Sequence, residues 1–433
     1  MTKSGRDMIF CIALSLLLCL AGFIILVAQT CIFDFSFPIL LYFLPWSPIL
    51  RTDPKSFSFY TVALVMVCAI SVLKKRFRFK RYHIAIGLVL IALTLLSKLL
   101  DGTFLSFDYI AFMMLVLVFP VVKEEWKAGK YDFYQSIVFF SVGIIIAALC
   151  ALNFATYANI AKFIRVDAYL TVIRRSGFYG DANFYTAQIT AAIGGGMVGL
   201  LKEKKRARSV LIFILLVLLV YCGFLSASKS FALILAGLLL IWLIGLFHMQ
   251  GRGIFKVLLL LAAVLVAAFI ATSELFRGLI EVFNTRFSFR ANISDFTTGR
   301  TDVWQNYLQE LMADWKTLFL GKGFTNIIIG EKSTHNILLQ MVFQFGLIGA
   351  PVMLGWMVCF FMDAPQRPKG AKRETLCVLL LSVGVFSPWL AIDTLFFDDF
   401  FLLQMFVYLG LRWLDGQQSP QTIKTDSAEL TVP

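Results

Sequence analysis

The chain has 433 residues, of which 59% are hydrophobic and 15% charged, and it carries a formal net charge of +13. That apolar content is too high for a soluble domain of this length to bury, which excludes an ordinary water-soluble enzyme. The basic residues alternate with apolar runs instead of gathering on one polar face, which excludes a nucleic-acid binder.

The first apolar run, Met8 to Ala28, follows Lys3 and Arg6 and has no clean small-residue cleavage site, so it reads as a retained helix and not a signal peptide. Phe33 to Leu50 is broken by Pro38, Pro45 and Pro48 and reads as re-entrant or interfacial. Beyond it, runs of the about 20 residues needed to cross a roughly 30 Å hydrocarbon core recur as far as Leu414. Basic clusters at Lys74 to Arg81, Lys123 to Lys130, Lys202 to Arg208 and Arg367 to Arg373 mark short cytosolic loops by the positive-inside rule. Tyr157 to Asp181, Ser226 to Lys229, Ser273 to Ser333 and Asp393 to Asp399 then face outward.

The expected fold is an all-α integral membrane protein, a polytopic bundle of about 12 transmembrane helices with both termini cytoplasmic. Residues 1–272 form spans with short loops, 273–333 one long extracytoplasmic loop, 334–414 the last spans and 415–433 a polar cytoplasmic tail. The eight cysteines sit in or beside apolar runs without a Cys-x-x-Cys pair, so neither a metal site nor a disulfide framework is expected. His83 and His248 adjoin the basic loops, where a solvated role is the default.

The long outward loop contains Val303, Trp304, Tyr307, Leu308, Leu311, Met312 and Trp315 at helical spacing, opposite Asp302, Gln305, Asn306, Gln309 and Glu310. This is an amphipathic helix that either lies flat on the outer leaflet or packs on top of the bundle. Arg165, Arg174, Arg175, Lys229, Arg277, Arg286, Arg290 and Arg300 all fall on the side where cations are disfavoured, so an anion should hold some of them. The guanidinium fork binds phosphate bidentately, which points to a lipid diphosphate; contact with lipid headgroups is the plainer alternative. His335, at the outward start of the run Asn336 to Met362, is expected in the first turn of a helix, where the helix dipole favours the neutral imidazole that a general base requires. Asp393, Asp398 and Asp399 can orient His335, pair with an arginine or bind an acceptor sugar.

Four segments together resemble the O-antigen ligase and O-antigen polymerase family of polyprenyl-linked glycan transferases. Arg174-Arg175-Ser176-Gly177 through Asn183 is similar to the family's Arg, Gly and Asn stretch, and Ser226-Ala227-Ser228-Lys229-Ser230 to its Ser-x-Ser-Arg turn. Gly299-Arg300 through Trp304 resembles its Gly-Arg and Trp element, while Gly321-Lys322-Gly323, His335-Asn336 and Gly346 to Gly349 resemble its C-terminal signature. The resemblance implies a GT-C-like, metal-independent, inverting glycosyltransferase without a cofactor, in the bacterial plasma (inner) membrane with its active site outward. Its donor would be an undecaprenyl-diphosphate-linked glycan and its acceptor a second glycan or a glycolipid, in cell-envelope, capsule or exopolysaccharide biosynthesis.

Carried over by position, His335, Arg300 and Arg175 would be the catalytic residues, with Arg174, Lys229, Asn183 and Asn336 binding substrate; Arg290 joins the substrate-binding set from its charge on the outward side. Lysine stands at 229 where the family has arginine, which removes bidentate geometry there. A chain-length regulator and a flippase are the implied partner proteins, beside membrane lipid and without nucleic acid. A polymerase extends one lipid-linked glycan with another, whereas a ligase delivers it to a lipid A core or other acceptor. A polysaccharide transporter or flippase is the reading from another class, and spans almost free of charge at their middles argue against it.

Overall fold

A computed structural model describes residues 36–50, 58–74, 80–102, 107–128, 132–154, 167–169, 172–179, 181–247, 299–323, 333–364, 372–393, 395 and 398–416, with isolated positions at 253, 257, 261, 264 and 281. The described residues are helical almost throughout. In chain order the helices are α1 (Ser36–Phe43), α2 (Phe59–Lys74), α3 (Arg81–Asp101), α4 (Phe107–Ala128), α5 (Phe133–Phe154), α6 (Ala182–Lys202), α7 (Arg206–Leu225) and α8 (Lys229–Phe247). After them come α9 (Arg300–Met312), α10 (Trp315–Leu320), α11 (Ile337–Phe361), α12 (Lys372–Phe386) and α13 (Asp398–Gly416). The all-α expectation needs one amendment: strands β1 (Asp167–Tyr169) and β2 (Val172–Arg174) form a short antiparallel ribbon that ends on Arg174.

Six described helices, α3, α5, α6, α7, α8 and α11, are long and apolar enough to cross a membrane, and four shorter apolar helices accompany them. Leu88, Leu95 and Leu99 on α3, Val210 and Ile214 on α7, and Leu233 and Leu240 on α8 are exposed. Rows of exposed aliphatic side chains along long helices are what a lipid-facing surface requires. Between Phe33 and Leu50 the described helix α1 is eight residues, about 12 Å, and turns into a 3-10 segment at Leu44–Trp46. Those residues are buried against α5 and are too short to span.

Helix α6 is the axis of the bundle. Residues 185–202 are all buried, and α5, α7, α8, α12 and α13 pack around them. Small residues permit this: a Cβ on Gly194 would meet the Leu380 carbonyl on α12, and one on Gly384 would meet the Thr190 carbonyl, while the Thr190 hydroxyl donates to Gly384 O at 2.9 Å. Close backbone approach through glycines is how apolar helices associate where lipid competes for every contact.

Ion pairs gather the basic clusters at one end of the bundle. Asp363, just beyond α11, accepts Lys80 at 3.2 Å and Lys123 at 2.7 Å; Arg208 reaches Asp132 at 2.8 Å; Lys202, at the end of α6, pairs with Glu374 on α12. Helix α6 has 21 residues, a length of about 31 Å, so its first residue lies on the opposite face of the bundle from Lys202.

Two sequence expectations are corrected here. Lys123 is not in a solvated loop: α4 continues past it, and its fully buried ammonium donates to the Phe360 carbonyl and lies 4.9 and 4.8 Å from the Phe360 and Tyr408 rings. The charge is tolerated because Asp363 neutralises it and the rings supply cation-π contact. His83 is likewise buried, 2% exposed, and not solvated.

Candidate functional site at the polar end of the bundle

At the end of α6 opposite Lys202, Asp181 caps the helix by accepting the Asn183 amide at 2.6 Å. This first turn serves two groups of side chains. On one side the Asn183 carboxamide oxygen accepts the hydroxyls of Ser228 at 3.1 Å and Ser230 at 3.3 Å, from the turn between α7 and α8. Arg174 donates from Nε to the Ser226 carbonyl at 3.1 Å, and the Arg175 amide donates to Leu225 O at 2.9 Å. Lys229 opens α8 beside these serines. Arg174 and Arg175 also line a small cleft whose remaining wall includes Ala148, Ala151, Leu152, Tyr185 and Leu225.

On the other side Asp181 and Asp393 face Arg300, the first residue of α9. Burial pulls the Arg300 guanidinium down from its usual value, and the two carboxylates oppose that pull. Burial also raises the Asp393 carboxyl to about 6, with a hydrogen bond from Ser333 and the charge of Arg300 acting against it and Asp181 adding to it. Asp393 Oδ1 is buried without a hydrogen-bond partner among the described residues. Trp304 of α9 donates to the Thr334 carbonyl at 2.9 Å, which brings the 333–336 segment against the start of α9.

His335 is not in the first turn of α11. The Asn336 side chain caps that helix, accepting the amides of Leu338 at 2.9 Å and Leu339 at 3.2 Å, so His335 stands one residue outside it. Two of the free amides at the start of α11 are therefore engaged by Asn336, whose role is capping before any contact with substrate. His335 adopts a left-handed backbone at φ 46°, and Ala227, in the turn between α7 and α8, does so at φ 49°. Both non-glycine residues of this kind among the described residues thus lie at this end; such conformations cost about 1–2 kcal/mol and concentrate where function holds them.

The structure thus brings together Arg174, Arg175, Asn183, Lys229, Arg300, His335 and Asn336 at one end. Arg290, with Arg165, Arg277 and Arg286, lies outside the described residues. Asp398 and Asp399 open α13 as buried acceptors: Thr61 donates to Asp398 at 2.8 Å, and Tyr179 and Gln188 donate to Asp399 at 3.2 and 2.6 Å. Sequence reasoning passed over Asp181 and Ser333. Asp181 carries the signal of an N-cap, an Asp just before an apolar run; nothing local marks Ser333.

Asp393 supports a pH prediction. Its folded value lies above the ordinary 3.8, so its contribution to stability is complete below that value and is lost as pH rises through about 6. The unfolding free energy of the wild type should fall relative to that of Asp393→Asn between about pH 4 and pH 7, by at most about 3 kcal/mol, read from thermal unfolding. Parallel curves across that range would rule out a perturbed Asp393.

Fold and site define a helical membrane protein with a cation- and hydroxyl-bearing centre at one end. No family model, no curated protein and no solved structure matches this chain.

Proposed function

We propose that the chain is a membrane glycosyltransferase that polymerises or transfers an undecaprenyl-diphosphate-linked oligosaccharide at the outer face of the bacterial plasma membrane. The observation that carries this reading is the convergence of Arg174, Arg175, Lys229, Arg300, Asn183 and His335 at the end of the bundle opposite the paired basic clusters. Cations at that end suit a diphosphate, and the clustered Ser228, Ser230 and Asn183 suit sugar hydroxyls. In this reading Arg175, Arg174 and Arg300 stabilise the departing diphosphate, and His335 takes or orients the proton of the attacking acceptor hydroxyl in one inverting displacement. The anomeric C–O bond to the diphosphate breaks as the bond to the acceptor oxygen forms.

The decisive experiment supplies purified protein in nanodiscs with lipid-diphosphate-linked repeat units. A ladder of longer lipid-linked glycans identifies a polymerase, and product only with a separate acceptor identifies a ligase. Lipid binding without transfer in either case favours a transporter. His335→Ala should lower transfer by about 10²- to 10⁴-fold, the usual worth of a positioned acid or base, with lipid binding retained. Full activity in that variant would remove His335 from the mechanism.

A further inference from the structure

Helices α9 and α10 leave a continuous apolar flank uncovered. The opposite side of α9 is satisfied: Val303, Tyr307 and Leu311 are buried against α11, with the Tyr307 ring 4.9 Å from that of Phe343. Yet Leu308, Met312, Trp315 and Phe319 are exposed, Met312 by 69% and Trp315 by 75%, and the Trp315 and Phe319 rings stack at 5.8 Å. These are large apolar groups on a short amphipathic unit that also carries Asp314, Lys316 and Lys322.

The level of this flank relative to the spans is fixed by α3. Lys316 pairs with Asp101, the last residue of α3, at 2.6 Å, and Ser97 one turn earlier donates to the Gly321 carbonyl at 2.7 Å. The same last turn of α3 exposes Leu99 and Leu100, by 78% and 59%. A spanning helix whose final turn presents leucines outward and an aspartate at its end is leaving the hydrocarbon at that turn. Trp315 and Phe319 flank Lys316 and so stand at that same level, where aromatic rings favour the boundary between acyl chains and headgroups.

We propose that α9 and α10 form an interfacial anchor whose Leu308, Met312, Trp315 and Phe319 are immersed in the lipid leaflet on the side of the candidate site. The occupant of this flank is the lipid surface, continuous with the lipid that covers the exposed leucines of α3. The anchor is rigidly joined to the site. Arg300 is the first residue of α9, Trp304 bonds to Thr334 beside His335, and the Lys322 and Gly323 amides donate to Phe343 O and Gln344 O on α11, both at 2.9 Å. Immersion of the flank therefore sets the depth of Arg300 and His335 relative to the phosphate layer. The inference needs only the membrane-embedded fold, so it stands or falls apart from any catalytic role.

The test places spin labels at Met312→Cys and Phe319→Cys, and at Gln305→Cys as an exposed polar control, in chains lacking other cysteines and reconstituted into phosphatidylcholine–phosphatidylglycerol nanodiscs. At 312 and 319, relaxation by oxygen should exceed relaxation by a water-soluble nickel chelate, with the reverse at 305. Nickel access at 312 and 319 equal to that at 305 overturns the proposal. Dipolar broadening that vanishes on dilution with unlabelled protein also overturns it, because the flank then meets a second copy. In the cysteine-intact chain, brominated lipids should quench a fluorescence component that Trp315→Phe lacks; equal quenching of both proteins again overturns the anchor.

Discussion

Under the proposed function, an Arg300→Ala variant is expected to lose about a hundredfold or more of the glycan-transfer rate, the scale on which one preorganised stabiliser of a departing anion acts. Arg300 is partly withdrawn from water, and the carboxylates of Asp181 and Asp393 act on its charge. In that setting its charge is screened less than a surface arginine's, and a diphosphate arriving beside it interacts across a lower dielectric. The two carboxylates create a rival explanation: Arg300 can simply neutralise them, so its removal would damage the fold by leaving buried negative charge uncompensated. The variants separate these roles. Arg300→Ala combined with Asp393→Asn removes one of the stranded carboxylates, and it should recover thermal stability without recovering transfer. Recovery of transfer in the double variant would reduce Arg300 to a counter-ion. Arg300→Lys should fall between the extremes, because a point charge remains and the fork is lost. Transfer rates from purified protein in nanodiscs, read beside unfolding midpoints, provide both measurements.

Much of the architecture was legible because hydropathy and charge are written along the chain. Helices α3, α5, α6, α7, α8 and α11 follow the apolar runs, and Lys80, Lys123, Lys202 and Arg208, drawn from three predicted cytosolic clusters, meet acidic partners at a single end. Arg174, Asn183, Ser228 and Arg300 were singled out by charge on the disfavoured side or by short segments, and the fold assembles them around one turn of α6. What failed did so for tertiary reasons. Lys123 reads as loop because Glu124, Glu125 and Lys127 follow it, yet its partner Asp363 is 240 residues away and lets α4 carry the charge inward. The charges of Arg300, Asp181 and Asp393 act on one another across three distant segments that no local pattern connects. The placement of His335 is a different kind of miss: it adjoins the apolar run that opens at Asn336, but Asn before such a run is a plain capping signal, which leaves His335 one residue outside the helix. The amphipathic helix was read as either membrane-bound or packed, and its two flanks divide those roles, Tyr307 toward Phe343 and Met312 outward.

The largest loss of stability is expected from filling either glycine of a junction that joins α10 to α11. Gly321 has φ 72° and ψ −179°, and Gly346, at a kink inside α11, has φ 67° and ψ −177°. That backbone region is open essentially to glycine alone. The two positions also press against each other's neighbourhood: a Cβ on Gly321 would run into the Gln344 carbonyl, and one on Gly346 into the Phe319 carbonyl. Backbone atoms cannot step aside as a flexible side chain can, so strain and overlap add. Gly321→Val or Gly346→Val should each cost about 3 kcal/mol or more and lower the unfolding midpoint of detergent-solubilised protein. Gly355, farther along α11, is the control, since a Cβ there meets nothing within 4 Å. Gly355→Ala should leave the midpoint unchanged or raise it by the helix propensity gained, roughly 0.5–1 kcal/mol. Equal effects at 346 and 355 would mean that the kink is not a structural requirement. The expected inequality has a functional corollary, because the junction carries the Lys322 and Gly323 amides onto Phe343 and Gln344 and so fixes α10 against the half of α11 that follows His335. The paired glycines at 321, 323, 346 and 349 thus have a physical account at 321 and 346 independent of any resemblance: two segments cross backbone to backbone beside the site, and a side chain at either crossing point would prise them apart.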